Sequence, residues 1–452
     1  MYRAPALLAA ALVFGLLVAG PARAGETPER EPGPKSTGKV YAWTSRGGLR
    51  YEYFIPKDYD PEKGANLTFI CHGTGLDRRW GFANHSAGEF RPDDIVVSAD
   101  GPTEVPNARL YANSPKDLET LHALQEELRA AFRIRQVFLY GHSQGAFWVF
   151  LYAGRYKDEV SGALGQAGGI WTETPVGKAF HHQALVLMHG TADPVVPYSN
   201  SRGGYGFLVE KGYPLAHLRS LEGWNHWPEQ GQAAMELAFL EGMTTDDPAR
   251  AEASLEFFKK WQNAEAMDPS AFHRVAGRVA AMEEAPESLR KRAAEAAARV
   301  EAAAEKHSAG IRADAGKKAG AKFDGKPWCG HLLRFLRDYH GVPAREELAK
   351  DWEKTLSAHD AAADKAFREY WRTMRTDAAK AFAAGVTAVR DAFLADATAD
   401  GAFLDNLEAW RKDAKKWKLD PAAVKAHDLY VPAFREALEK GRKDYLGILR
   451  KL

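Results

Sequence analysis

The sequence of 452 residues is poor in cysteine and has no excess of either charge. Its two cysteines, Cys71 and Cys329, are too few for a disulfide framework, and we interpret both as free thiols, with a bridge between them as the alternative. Lys and Arg total 61 and Asp and Glu total 60, so the charge balance predicts neither nucleic acid nor an anionic membrane as a partner.

Apolar runs long enough to span a membrane are also lacking. Residues 6–19 form an apolar run too short for a comfortable span, preceded by Arg3 and followed by the small-x-small pattern of residues 22–24. The pattern predicts a signal peptide over residues 1–24 and export to the periplasm or the exterior, with an uncleaved anchor helix as the alternative. No cysteine follows the run, so a lipid anchor is not expected, and residues 25–38, rich in Pro, Glu and Gly, are interpreted as a flexible leader.

Residues 39–245 alternate between strand and helix signals. Short apolar runs bounded by Gly, Asp or Asn are typical of parallel strands covered on both faces, and the alternation favours a doubly wound α/β sheet. The predicted strands are 40–44, 49–55, 67–71, 95–98, 137–140, 162–164, 184–188 and 217–221, and the predicted helices are about 115–133, 144–156, 200–211 and 231–243. Ligands of such sheets bind at the carboxyl ends of the strands.

Residues 246–452 lack strand signals and are rich in Ala, Lys, Glu and Arg. Large apolar residues recur there at helical spacing, which predicts an all-α accessory region with a glycine-containing linker at about 308–328. Packing beside the catalytic domain is the plain interpretation of this region. A substrate-gating cap, a cell-envelope contact and a surface for protein contacts are the others, and no residue pattern distinguishes them.

The motif Gly141-His142-Ser143-Gln144-Gly145 lies between a predicted strand and a predicted helix. G-x-S-x-G in this setting forms a sharp turn that raises the serine hydroxyl above the sheet, where the amides of the helix N-terminus face the reacting oxygen. A plain glycine-rich turn is the alternative. Ser143 is therefore the candidate nucleophile.

Two later motifs supply an acid and a base. Asp193 follows a strand in H-G-T-A-D, and His226 follows the last predicted strand in W-N-H-W. Asp193 as a turn-capping residue and His226 as a surface histidine are the alternatives. The chain order Ser, Asp, His is that of α/β-hydrolases and differs from the orders of chymotrypsin and subtilisin, so the order predicts the fold as well as the chemistry.

A fourth motif, Cys71-His72-Gly73-Thr74-Gly75, follows the strand at 67–71. The loop in this place donates one amide to the oxyanion in hydrolases of this fold, and the residue after the nucleophile donates another. Thr74 and Gln144 are the expected donors. Candidate substrate-binding residues are the aromatic side chains near strand ends, for which core packing is the alternative: Trp80, Trp171 and Trp227.

Residues 39–243 resemble secreted α/β-hydrolases of the phospholipase/carboxylesterase and polyhydroxybutyrate-depolymerase or feruloyl-esterase-like groups. The strings F-I-C-H-G-T-G, L-Y-G-H-S-Q-G-A and L-M-H-G-T-A-D-P-V-V-P-Y carry the resemblance. It implies an eight-stranded sheet, a triad of Ser143, Asp193 and His226, and acyl-ester substrates. Leu76 stands where many such carboxylesterases have an acidic residue after H-G-x-G.

These features predict an exported serine hydrolase that cleaves a small or polymeric carboxylic ester through an acyl-enzyme. A peptidase or amidase with the same triad is one alternative, and a scaffold protein with a silent hydrolase domain is another. The sequence has no H-x-x-H-type motif and no carboxylate cluster, so it predicts neither a metal nor a cofactor.

Overall fold

The computed structural model describes residues 27–318, apart from 107, 179–180, 228–229 and 261–267, and residues 335, 338–345 and 347–348. The predicted signal peptide, Cys329 and the helices predicted beyond residue 348 lie outside the described residues. The chain divides into two compact units, residues 1–295 and 296–452. In the part of the chain that the structure covers, no helix has the length and apolar character needed to cross a bilayer.

An eight-stranded sheet forms the centre of the first unit, in the spatial order β1-β2-β4-β3-β7-β8-β9-β10. Its strands are β1 (Val40–Thr44), β2 (Arg50–Phe54), β3 (Ala65–Cys71), β4 (Asp94–Ala99), β7 (Ile134–His142), β8 (Gly162–Gln166), β9 (Ala184–Gly190) and β10 (Ala216–Leu221). All neighbours from β4 to β10 pair in parallel, whereas β2 is antiparallel to both β1 and β4. The mostly parallel α/β sheet predicted from the sequence is confirmed.

The central strands are buried over their whole length because helices cover both faces. Every residue of β3, β4, β8 and β9 is buried. This agrees with the uninterrupted apolar runs by which the strands were predicted. A separate two-stranded sheet that the sequence did not predict joins β5 (Thr103–Val105) to β6 (Ala108–Leu110).

Helices fill the connections between strands and then continue along the chain beyond the sheet, and the last described helix crosses the unit boundary at 295/296. In chain order the helices are α1 (Arg79–Asn84), α2 (Ala87–Phe90), α3 (Pro115–Ala131), α4 (Gln144–Arg155), α5 (Ser199–Glu210), α6 (Gln230–Thr244), α7 (Pro248–Lys260), α8 (Pro269–Ala280) and α9 (Glu287–Lys318). The four helices predicted inside residues 39–245 are all present. The short helices α1 and α2 were not predicted.

The compact unit that holds the sheet extends past the predicted domain boundary at residues 245/246 and ends at Glu295. Helices α7 and α8 pack on α6, so closely that a Cβ on Gly242 would lie 2.7 Å from Cγ1 of Val275. His217 of β10 is also bonded to the α8 cap residue Asp268, 2.6 Å from Nε2 to Oδ2. The change in composition near 246 therefore marks the end of the strands and not the end of the unit.

Two further boundaries differ from those predicted. Helix α9 continues to Lys318, so residues 308–318 of the predicted linker are helical. The described part of the predicted leader is bound to the outer strands: the amide of Arg30 donates to the carbonyl of Ala42 at 3.0 Å, and that of Gly38 donates to Ile55 at 2.9 Å. A polar N-terminal segment can form hydrogen bonds with an edge strand through its backbone alone, and amino-acid composition does not reveal such pairing.

Candidate active site

Ser143 lies at the junction of β7 and α4, where the chain reverses sharply. Its φ is 57° and its ψ is −116°, a conformation that residues other than glycine rarely adopt. Strain of this kind at a single serine is typical of a nucleophile elbow, which presents the hydroxyl at the end of a strand. Ser143 is partly exposed, and its backbone amide donates to the carbonyl of Gln166 at 2.9 Å.

The two glycines of the elbow allow its backbone to approach neighbouring segments closely. A Cβ on Gly145 would lie 2.7 Å from the carbonyl oxygen of His72 and would also overlap that of Cys71. A Cβ on Gly141 would overlap the backbone of Gly145. No side chain fits at either position without moving the chain, which explains the spacing of the motif.

Asp193 follows β9 and is held by donors on both carboxylate oxygens. Oδ1 accepts from the amides of Val195 and Val196 at 2.7 and 2.9 Å, while Oδ2 lies 2.7 Å from Nδ1 of His226 and 3.1 Å from Nε2 of His189. Burial by itself raises the pKa of Asp193, but these hydrogen bonds and the nearby His226 outweigh it and hold the pKa well below its usual value. Asp193 is therefore a buried carboxylate that stays ionised.

His226 lies in the loop between β10 and α6, hereafter the base loop (residues 222–227). Its side chain is 5% exposed. The loop packs on the end of β9, where a Cβ on Gly190 would lie 2.5 Å from the carbonyl oxygen of Asn225. The backbone carbonyl of His226 accepts from Nε2 of His142 at 2.9 Å, which places the base loop directly beside the residue that precedes Ser143.

The expected oxyanion donors belong to two segments that meet at Ser143. Thr74 is exposed in the turn that follows β3, closed by a 3.3 Å hydrogen bond from Leu76 to Gly73. A Cβ on Gly73 would lie 3.0 Å from Cβ of Ser143, so this turn is in contact with the elbow. Gln144 is the first residue of α4, and the first amides of a helix have no acceptor within it.

The three predicted substrate-binding tryptophans occupy different places. Trp227 is 41% exposed beside His226, and Trp171 is partly exposed and stacks on Phe147, one helical turn beyond Ser143, with ring centres 5.9 Å apart. Trp80 is only 7% exposed and stacks on the ring of His142, with ring centres 5.0 Å apart. Trp80 is thus mostly buried against the residue that precedes Ser143, and its contact with substrate stays a prediction.

Cys71 contributes no reactive thiol. It ends β3 in full burial, and burial raises the pKa of its thiol to about 12. A thiol in that state stays protonated and is a poor nucleophile at neutral pH.

Among the described residues, two groups of side chains lie close enough to act as metal ligands, and each group includes members from distant parts of the chain, which the sequence could not reveal. They are His122 with Glu126 and Glu159, and His217 with Glu236 and Asp268. The second group is buried, but Arg219 lies beside it, with Nε 3.8 Å from Glu236 and Nη1 3.9 Å from Asp268. This guanidinium already supplies a positive charge to both carboxylates, which disfavours a metal cation there.

Two histidines that were not among the predicted site residues contact the candidate triad directly. His142 bonds to the backbone of His226, and His189 bonds to the carboxylate of Asp193. The signal for both is their position inside the G-H-S-Q-G and H-G-T-A-D motifs. Their partners, however, come from segments tens of residues away and are visible only in the fold.

The sheet order, with a single reversed strand and a serine elbow after its central strand, defines an α/β-hydrolase fold. Residues 106–234 match the phospholipase/carboxylesterase family, which places this segment in the esterase group of α/β-hydrolases. The resemblance of the motifs to the phospholipase/carboxylesterase group is thereby confirmed for this part of the chain, whereas export stays a prediction. No curated protein matches the chain.

Solved structures named as esterases are similar to part of this chain. A carboxylesterase from Bacillus cereus is 15% identical, with a TM-score of 0.36, over 43% of this chain and 94% of that one. A carboxylesterase from Mesorhizobium loti is 16% identical, with a TM-score of 0.36, over 42% and 94%. A thermostable esterase is 19% identical, with a TM-score of 0.33, over 41% of this chain, which spans 54% of that esterase. At these TM-scores the likeness carries no functional weight.

Proposed function

We propose that this protein is a serine hydrolase that cleaves carboxylic esters through an acyl-enzyme intermediate. The observation that carries the proposal is the 2.7 Å hydrogen bond between Asp193 and His226, in a loop bonded to the residue that precedes the strained Ser143. A carboxylate, an imidazole and a hydroxyl can act together as a catalytic triad, in which the carboxylate orients the imidazole and the imidazole activates the hydroxyl as a nucleophile. The family match to phospholipases and carboxylesterases supports ester hydrolysis in general.

In the proposed first step, Oγ of Ser143 attacks the ester carbonyl carbon and Nε2 of His226 takes the hydroxyl proton. Asp193 holds Nδ1–H of His226 and stabilises the imidazolium that forms, without taking a proton itself. The oxyanion accepts hydrogen bonds from the amides of Thr74 and Gln144, each worth about 3 kcal/mol of the barrier. The alcohol then leaves with the proton from His226.

In the second step, water replaces the alcohol. His226 takes a proton from the water as its oxygen attacks the acyl carbon, and the intermediate collapses to release the carboxylic acid and return the proton to Ser143. The low pKa of Asp193 suits this role, because the acid must remain ionised while His226 gains and loses its proton.

The exposed aromatic rings near Ser143 are the proposed walls for the acyl or alcohol group. Trp227 borders His226, and the Phe147–Trp171 pair lies on the α4 side of the elbow. Rings in this position can cover an apolar or aromatic group of the ester while its carbonyl carbon reaches Ser143.

Replacing Ser143 with Ala tests the proposal. The variant is expected to lose hydrolysis of a short-chain nitrophenyl ester and covalent labelling by a fluorophosphonate probe, while its circular dichroism and melting temperature match the unaltered protein. Ser199 is exposed at the start of α5, so Ser199→Ala serves as the control and should retain both activities. Undiminished turnover or labelling in Ser143→Ala would contradict the mechanism.

A panel of esters and peptides distinguishes an esterase from an amidase with the same triad, and the proposal predicts turnover of the esters. Export remains part of the proposal. Expression with the native N-terminus followed by N-terminal sequencing of the mature protein should give Gly25 as the first residue.

A further inference from the structure

His142 ends β7 and is buried, immediately before Ser143. Its Nε2 lies 2.9 Å from the carbonyl oxygen of His226. A carbonyl oxygen only accepts hydrogen bonds, so Nε2 of His142 carries the proton and donates it. The bond therefore fixes the tautomer of His142 and ties the base loop to the strand that ends at the nucleophile.

The second nitrogen of His142 has a different setting. Nδ1 is buried and no hydrogen-bond partner for it lies among the described residues; it faces the turn after β3, where a Cβ on Gly73 would approach it to 3.3 Å. Burial and the neighbouring His226 lower the pKa of His142 to about 3. His142 is therefore neutral over the working range of an esterase, and its bond to His226 persists throughout that range.

Two indoles fix the plane of the His142 ring. Trp80 stacks on it with ring centres 5.0 Å apart and planes at 18°, and Trp227 with centres 5.7 Å apart and planes at 26°. Trp80 belongs to α1, which follows the oxyanion turn, and Trp227 belongs to the base loop. The His142 ring thus contacts the segments that carry the base and one expected oxyanion donor, and it adjoins the nucleophile along the chain.

Other hydrogen bonds join the base loop to the segment that carries Asp193 and to the end of β10, where the amide of Trp224 donates to the carbonyl of Leu221 at 3.2 Å. The amide of Ala192 donates to the carbonyl of Trp224 at 3.0 Å, and the amide of Gly223 donates to Oγ1 of Thr191 at 2.9 Å. These bonds hold His226 close to Asp193, but they do not fix the distance of either residue from Ser143. The bond from His142 joins the base loop to the elbow.

We propose that His142 is a positioning residue, whose Nε2–H holds the carbonyl of His226 and so keeps the base imidazole in reach of Ser143. The inference rests on the proposed esterase function. A loss of alignment between base and nucleophile slows proton transfer during acylation, whereas substrate binding by the aromatic rings is affected little.

Three variants of His142 separate the effect of the hydrogen bond from that of the packing. His142→Phe keeps a ring between the indoles but has no donor, and His142→Gln places an amide donor near the position of Nε2. We expect His142→Phe to lower kcat on a nitrophenyl ester about 10- to 100-fold with little change in KM, and His142→Gln to recover most of that loss. The side chain of His142→Asn is too short for its amide to reach the carbonyl of His226, so its kcat should fall below that of His142→Gln. This comparison remains valid even if His142→Phe does not fold.

A matched control lies on the surface. Nε2 of the exposed His182 also contacts a carbonyl, that of Lys157 at 2.8 Å. His182 precedes β9 whereas Asp193 follows it, so His182→Phe should leave kcat unchanged. The proposal is overturned if folded His142→Phe retains the unaltered kcat, or if His142→Gln is no faster than His142→Asn.

Nitrogen-15 NMR of histidine-labelled protein tests the bond without any substitution. Neutral His142 with its proton on Nε2 is expected at neutral pH, and an imidazolium or an Nδ1–H tautomer would refute the inference. Ser143→Ala separates this failure from that of the proposed function: if Ser143→Ala still hydrolyses esters, the mechanism is wrong whatever the tautomer of His142.

Discussion

Nε2 of His189 lies 3.1 Å from Oδ2 of Asp193, the same oxygen that contacts His226. His189 is fully buried, with Nε2 also 2.9 Å from the carbonyl oxygen of Val196 and Nδ1 2.7 Å from Oγ of Ser201. A carbonyl and an ionised carboxylate accept but do not donate, so Nε2 of His189 carries a proton. The acid of the candidate triad is therefore oriented by two imidazoles, of which only one belongs to the triad.

Replacing His189 with Leu should destabilise the protein. The change removes a buried donor and leaves the carbonyl of Val196 and Oγ of Ser201 without this partner, so we expect the free energy of unfolding to fall by about 1–3 kcal/mol. Urea denaturation at pH 7 measures it. His181 offers a control, because its Nε2 contacts the carbonyl of Lys211 in an exposed place, and His181→Leu should change stability by less than about 0.5 kcal/mol. Equal effects of the two substitutions would contradict the prediction.

Asp193 should make the stability of the protein depend on acidity. Its pKa in the folded protein is depressed, so its contribution is complete above the unfolded value of about 3.9 and is lost as the pH falls below that value. Asp193→Asn cannot be protonated and lacks this dependence. Between pH 5 and pH 2.5 the unaltered protein is therefore expected to lose more stability than Asp193→Asn, as followed by urea denaturation at each pH.

The same substitution should also lower kcat by about four orders of magnitude, because an amide orients the wrong tautomer of the base. Asp158→Asn is the matched control, since this carboxylate is 78% exposed beside Lys157. If Asp193→Asn showed the pH dependence and kcat of the unaltered protein, Asp193 could not be the acid of the triad.

The sheet was predictable from the sequence because its central strands are buried on both faces and are therefore apolar throughout. Phe69, Leu139 and Leu187 are fully buried on β3, β7 and β9, and each lies in a run that predicted its strand. The three-residue strands β5 and β6 escaped prediction, since a run of that length carries no periodicity.

The motif residues were predictable for another reason: G-x-S-x-G and H-G-x-x-D carry their chemistry in local spacing. The contacts that hold the motif residues in place were not predictable. The ring of His142 bonds to the carbonyl of His226 across 84 positions of the chain, and Trp80 of the unpredicted helix α1 stacks on the same ring. The end of the compact unit was not predictable for the same reason. The bond between His217 and Asp268 joins β10 to the cap of α8, which lies beyond the predicted domain boundary at 245/246.

Gly145 should not tolerate even a methyl group. An added Cβ would overlap the backbone of Cys71 and lie 2.7 Å from the carbonyl oxygen of His72, and neither atom belongs to a flexible side chain. We expect Gly145→Ala to reduce the free energy of unfolding by about 1–3 kcal/mol and to lower kcat with it. Gly203 is the control: it lies within α5 with no atom within 4 Å of an added Cβ, so Gly203→Ala should stabilise the protein by up to about 1 kcal/mol. A neutral Gly145→Ala would mean that the elbow is less tightly packed than described.

Replacing Glu236 with Gln should make the protein more stable, relative to the unaltered protein, as the pH rises. It is fully buried on α6, and neither carboxylate oxygen accepts a hydrogen bond from the described residues. Burial, reinforced by the negative charge of Asp268, raises its pKa well above the ordinary value, although Arg219 opposes the shift. A raised carboxyl pKa gives stability that is complete below the unfolded value of about 4.3 and is lost as the pH rises towards the folded value.

Glu236→Gln has no such loss, so its stability relative to the unaltered protein should increase from pH 4 to pH 8 by at least about 1 kcal/mol, the equivalent of one pKa unit. Urea denaturation across that range measures the difference. Glu283 is exposed, and Glu283→Gln should show a constant difference over the same range. If the Glu236→Gln difference were constant as well, or reversed, then Glu236 would be ionised at little cost and the positive charge of Arg219 would outweigh its burial.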